Sequence, residues 1–417
     1  MRISSVTMFE QSTASMNRQQ SDFLKVSQQI ASGRRVVNPS DDPQSASRAV
    51  GVDQAKAVTE QYGDARTSAR NSLAQTESIL NSTSDAITSA KTLLVQASSD
   101  TLSDVDRESI ASELKGVYET MLGQANATDG NGRYLFGGYN DKNPPYVKQG
   151  ETAVYQGDDR AREQRVDASR LMPVTENGIS IFQSVPSSAG YVAEADNANT
   201  GNVTFSGPQV RDVNDEGYGD SYRIQFDEDA GNPTYSIQTY DEGAGDWIAY
   251  DPDGDEAFTD QEYTSGETIS FGGLNVDLKG DPEVGDEILV AQAGSEQREP
   301  NLFRTMEEAI RVLEKPAETA TEKADLKNTL KTSMRDLDNS LDNVLTVRAS
   351  AGARLNELDV IDAVGSNRSL NYEQTLSDLV DLDYNEAISE YSLRQVGLQA
   401  SQKAFVDVKG MSLFDYL

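Results

Sequence analysis

Phe9, Met16, Phe23 and Ile30 recur every seven residues near the start of the chain, and Tyr384, Tyr391, Leu398 and Phe405 do the same near its end. A seven-residue period holds apolar side chains on one face of a helix and is the pattern of coiled-coil packing, so each end carries a seam that requires a partner. Two matched seams at opposite ends predict that the ends meet, within one chain or between neighbouring copies. Glutamines crowd around both seams, at Gln19, Gln20, Gln28 and Gln29 and at Gln395, Gln399 and Gln402. A lone helix of this makeup is marginal in water. The eight seam residues are therefore the candidate assembly site, expected to be loose in an isolated chain and ordered on packing.

The seven-residue step also runs through the flanks, at Leu73, Leu80, Ile87 and Leu94 and again at Leu330, Leu337, Val344, Ala351 and Leu358. Ile110, Leu114, Val117 and Met121 follow a helix face, as do Leu302, Met306, Ile310 and Leu313. These inner stripes read as core. Helix starts are marked by Asp42 before Pro43 and by Thr319 with Glu322 at capping-box spacing after Pro316. Gly51 and Gly63 each cost a helix about 1 kcal/mol against Ala, which predicts a break near Gly63.

Between about residues 143 and 299 the helical period disappears and Gly, Pro, Asp, Tyr and Thr rise. Tyr222, Ile224 and Phe226, a turn at Ala230-Gly231-Asn232-Pro233, then Tyr235 and Ile237 read as a β-hairpin. Val203/Phe205, Ile269/Phe271, Leu274/Val276/Leu278 and Ile288/Val290 read as further strands of a sandwich or barrel. The predicted fold is α+β: an elongated all-α coiled-coil rod formed by both termini, with an inserted all-β domain. Its boundaries fall at residues 1–142, a helical part ending in a hairpin, 143–298, the acidic β domain, and 299–417, the second helical part.

Chemistry is restricted by what is missing. The chain has neither His nor Cys, which removes imidazole bases, thiol nucleophiles, disulfides and His/Cys zinc sites. With 69 acidic against 36 basic residues the net charge is -33, and a surface of that sign repels nucleic acid and anionic membrane. Residues 196–300 hold 25 acidic and 4 basic side chains, so the β domain is the most strongly self-repelling part. No catalytic residue, cofactor or metal ligand is assigned. Asp251, Asp253, Asp255 and Glu262 follow a calcium-loop spacing, but glycine stands at the fourth place instead of the sixth, and an acidic solubilising turn is the preferred reading. Asn131-Gly132-Arg133-Tyr134-Leu135-Phe136-Gly137-Gly138-Tyr139 reads as a short hairpin and not as a phosphate loop. Arg34-Arg35 reads as a cationic cap at a helix C-terminus. Residues 1–9 show a single Arg and no apolar run, so no cleaved export signal is expected there.

Residues 30–43, Ile-Ala-Ser-Gly-Arg-Arg-Val-Val-Asn-Pro-Ser-Asp-Asp-Pro, resemble the N-terminal signature of the flagellins and flagellar hook-associated proteins. Asn131-Gly-Arg-Tyr-Leu-Phe-Gly-Gly138, Asn143-Pro-Pro-Tyr146, Tyr155-Gln-Gly-Asp158 and the Met411-Ser-Leu-Phe-Asp-Tyr-Leu417 ending fit the hook-filament junction members of that family. The resemblance covers about the first 185 and last 120 residues and is lost over the acidic stretch 196–300. It implies a secreted structural component of the bacterial flagellum, exported uncleaved by the flagellar type III apparatus. Its implied partners are an adjacent hook-associated protein, flagellin, copies of itself and an export chaperone of the FlgN type. The alternatives are a flagellin filament subunit, or an acidic adhesin or glycan-binding module using Tyr and Trp247.

Overall fold

The computed structural model describes residues 5–150, 152–252 and 257–410. Helices α1 (Ser5–Ser32), α2 (Pro43–Ala97) and α3 (Asp104–Ala125) lead into the hairpins β1 (Tyr146–Gln149) with β2 (Thr152–Tyr155) and β3 (Glu163–Asp167) with β4 (Arg170–Pro173). A short helix α4 (Gly178–Phe182) precedes the strands β5 (Tyr191–Ala195), β6 (Thr204–Val210), β7 (Tyr222–Asp229), β8 (Asn232–Asp241) and β9 (Asp246–Ala249). After β10 (Gln261–Glu262), β11 (Thr268–Phe271), β12 (Leu274–Lys279) and β13 (Glu287–Gln292), the chain ends in α5 (Leu302–Glu314), α6 (Ala320–Val380) and α7 (Tyr384–Gly410). Packing divides it into two units, Met1–Arg66 with Asp359–Leu417, and Thr67–Leu358.

Helix starts follow their caps. The Asp42 carboxylate accepts from Ser45 N–H (3.0 Å) ahead of Pro43, and Glu322 accepts from Thr319 N–H (2.8 Å) while Thr319 Oγ1 accepts from Glu322 N–H (3.2 Å). The predicted break near Gly63 is absent, and α2 runs unbroken through Gly51 and Gly63. Breaking it would leave two new ends with unpaired backbone groups and require a fresh nucleus, which outweighs the small glycine penalties.

In the second unit the inner stripes are core, as their spacing predicts. Leu80, Ile87 and Leu94 of α2, Leu114 and Met121 of α3, Met306 of α5, and Leu337 and Val344 of α6 are all essentially inaccessible. Each such side chain stabilises by about 1.5–3 kcal/mol through burial. Tyr146, Phe182 and Phe303 complete this core, with the Tyr146 and Phe303 rings 4.8 Å apart. Composition thus changes at residue 143, whereas packing changes only at Tyr191, where a separate β core begins. The segment 131–139 turns back on itself, with Leu135 and Phe136 buried in the helical core.

The β core lies between two antiparallel sheets, β10-β8-β7-β13-β5 with β9 on the edge of β8, and β11-β12-β6. Tyr222, Ile224 and Phe226 point into it while Arg223 and Gln225 point away, the alternation of a one-sided strand. The β7–β8 turn places Ala230 at φ +52° and Gly231 at φ +90°, with Asp229 paired to Asn232, the backbone of a two-residue primed turn. Arg298, 2% exposed, joins Glu194 of β5 (3.0 Å) to Asp336 of α6 (2.9 Å). Burial pulls its pKa down, but the two carboxylates more than offset this and hold it above the usual arginine range.

Candidate assembly surface at the terminal helices

The terminal seams face each other within one chain. The Phe9 and Phe405 rings lie 5.3 Å apart and those of Phe23 and Tyr391 4.9 Å apart, so two heptads forward in α1 meet two heptads back in α7. The helices are antiparallel, and the same register sets Met16 opposite Leu398 and Ile30 opposite Tyr384. Arg394 bridges the pair from Asp22 (3.0 Å) to Glu390 (3.1 Å). In the single chain each seam thus has a partner supplied internally, one of the two arrangements the matched spacing allows.

This internal pairing covers the seams only in part. Phe9 remains 44% exposed and Tyr384 51%, while Met16, Phe23, Ile30, Tyr391, Leu398 and Phe405 are half-buried. Every residue of the inner α6 stripe is fully buried by comparison. A two-helix contact screens one side of each helix, and these helices are apolar on more than one. On α7, Leu393 is 70% exposed and Val396 63%, with Ile388 and Val406 likewise open, and Leu24 is open on α1. Sequence reading by heptads missed these residues. The signal that finds them is that apolar residues in α7 are spread around the helix instead of gathered in one stripe, a pattern that calls for burial on several sides.

The root of the pair is a clasp between two connections. Gly33, at φ +69°, ends α1 in the left-handed region that glycine adopts freely, and its carbonyl accepts from Leu382 N–H (3.0 Å). Arg35 N–H donates to Val380 O (2.8 Å) and its guanidinium to Leu379 O (2.6 Å), and Val36 is buried. Arg35 is therefore a helix C-terminal cap, but of α6, and not of the α1 it follows. Asp41 accepts from the N–H groups of Asn38 (2.9 Å) and Val37 (3.2 Å), and Lys25 lies 3.2 Å from it. Hydrogen bonds from Asn38 and then Lys25 lower its pKa. Ser45, through its side chain and N–H, and then Arg35, hold Asp42 down to about 2. The Asn38-Pro39-Ser40-Asp41-Asp42-Pro43 string is thus a pair of carboxylate caps in series. Asp383 caps α7 in turn, accepting from Asn385 N–H (2.9 Å).

Elsewhere, Trp247 lies under the Arg223 guanidinium (4.9 Å) and beside Tyr240 (5.4 Å) on the outer face of the larger sheet. Asp253 and Asp255 of the calcium-like string fall outside the described residues, and among the described residues no group of three His, Cys, Asp or Glu is placed to hold a metal ion. No described helix is long and apolar enough to cross a membrane.

The description of the bacterial flagellin N-terminal helical region matches residues 3–141. Flagellar hook-associated protein 3 of Escherichia coli (strain K12) is 34% identical over 415 residues, 99% of each chain, and that of Salmonella typhimurium is 32% identical over the same length. Both alignments run through the acidic stretch 196–300, where motif reading finds no likeness. The crystal structure of FlgL from Xanthomonas campestris is 29% identical, covering 78% of this chain and 99% of its own with a TM-score of 0.63. Hook-associated protein-3 from Legionella pneumophila is 25% identical with a TM-score of 0.65, covering 79% of this chain and 98% of its own. The clasp and paired terminal helices thus sit in a chain that aligns over 99% of its length with the Escherichia coli and Salmonella typhimurium relatives, and it belongs to the flagellar hook-associated protein 3 family, structural components of the bacterial flagellum.

Proposed function

We propose that the α1–α7 pair is the segment by which this chain packs against copies of itself and against the adjacent hook-associated protein and flagellin at the junction of hook and filament. The observation that carries this reading is the apolar surface of α7 that α1 leaves open, at Ile388, Leu393, Val396 and Val406. A surface of this kind on a free chain is a contact awaiting a neighbour. Half-covered helices gain order when a neighbour supplies the rest of the apolar environment, so assembly and full folding of the terminal helices are coupled. The role is structural and not catalytic. Uncleaved export, with a FlgN-type chaperone shielding α7 before assembly, suits a helix with this much open apolar area.

Leu398→Asp tests the assignment. The variant is expected to be produced and secreted, while cells bearing it build hooks without filaments and shed flagellin into the medium. Filaments of normal length and number on that variant would overturn the reading.

A further inference from the structure

The paired lysines of this chain have carboxylate partners close by, such as Lys25 with Asp41 and Lys56 with Glu373. Three lysines without an ion pair among the described residues, Lys279, Lys323 and Lys327, converge on one groove of about 810 Å³ in the second unit. It opens between the α2–α3 connection, the first turns of α6, and strands β6 and β12. Lys331 extends the row, so that three lysines stand four residues apart on one face of α6. Its Nζ donates to Phe205 O (2.9 Å) and Ser206 Oγ (3.1 Å), with no carboxylate bound. Burial, and then Lys327, pull its pKa below the usual lysine range, against an upward pull from Asp277.

Arg107 lines the same groove. It is 7% exposed, its Nη1 donates to Leu102 O (2.9 Å) and its Nη2 to Asp104, yet its buried Nε has no acceptor. Asp100 is the acidic side chain lining the groove. Like charges four apart destabilise a helix slightly, a cost that an incoming anion offsets. Leu326, Leu330 and Met334 give the groove an apolar floor.

We propose that this groove receives the acidic β6–β7 loop, residues 211–221, of a second copy of the chain. The proposal rests on the reading that copies pack together in the flagellum. Long polyanions are repelled by a chain of charge -33, which leaves short carboxylate-bearing segments as occupants. The densest supply of these is the β domain itself, and two chains of such charge approach only where complementary patches offset their repulsion. The β6–β7 loop presents Asp212, Asp215, Glu216 and Asp220 around Val213, which is 61% exposed. Carboxylates flanking one apolar side chain match lysines above an apolar floor. The β8–β9 turn has only Gly and Ala between its acids, and in the β12–β13 loop, which carries the exposed Val284, Asp286 is buried and already accepts from the Thr200, Gly201 and Glu283 N–H groups of its own chain.

The test is a fluorescein-labelled synthetic peptide of residues 211–221 titrated onto the full chain and followed by anisotropy. Binding is expected to weaken at least about tenfold in the Lys323→Glu, Lys327→Glu double variant, and to recover when the peptide carries Asp212→Lys and Asp215→Lys. No binding to the unaltered chain, or equal affinity after charge reversal, would overturn the proposal. Displacement by inorganic phosphate as effectively as by unlabelled peptide would make this a general anion site and overturn it as well. The Leu398→Asp chain is expected to bind the peptide normally, so failure of the seam assignment and failure of the groove assignment are read separately.

Discussion

Ala230 is held in left-handed backbone at φ +52°, which costs a residue with a side chain about 1–2 kcal/mol. Ala230→Asn places in the β7–β8 turn a residue that tolerates this conformation, and Asn-Gly is the pair such turns favour. The expected outcome is a stability gain of about 0.5–1 kcal/mol, read as a higher midpoint in thermal or urea unfolding of the β domain. Asp42 shows the same local determinism through charge. Its folded pKa, about 2, lies below the ordinary 3.8, so its contribution is complete above 3.8 and is lost as pH falls toward 2. Comparing Asp42→Asn with the unaltered chain by circular dichroism from about pH 5 downward should show the difference between them shrinking across that window.

Among the elements, equal seven-residue spacing hides two different degrees of burial. Leu337→Ala removes a fully buried side chain and is expected to cost about 2–5 kcal/mol in chemical unfolding of the second unit. Leu398→Ala removes a half-covered one and is expected to cost about 1 kcal/mol or less in the free chain, while still lowering assembly yield. Spacing made both stripes legible, along with the caps at Asp42 and Thr319 and the strand pairs around Tyr222 and Ile237. Spacing says which face is apolar but not how many neighbours cover it, so the open residues Leu393 and Val396 escaped notice. Which helix Arg35 caps escaped for another reason. Its acceptor at Leu379 is 344 residues away, and a contact to a main-chain carbonyl leaves no mark in the partner's side chain. Composition changes at residue 143 because it records turn chemistry, and the β1–β2 hairpin has turn chemistry yet supplies Tyr146 to a helical core.

Across the molecule, open apolar surface is unevenly shared. Thirteen of the twenty-two exposed large apolar side chains among the described residues belong to the first unit, which holds less than a third of the chain. Opening free energy tracks buried contacts, so amides of α1 and α7 are expected to exchange with solvent well before those of the inner stripes of α2 and α6. Hydrogen exchange measured before and after assembly should show protection gained chiefly in α1 and α7. Equal protection of the terminal and inner helices in the free chain would contradict this division. The bonds from Arg35 N–H to Val380 O and from Leu382 N–H to Gly33 O join main chain to main chain. Substitution along either tail therefore leaves them intact, and the two arms can be re-tailored to a different neighbour while the point from which they spring keeps its shape.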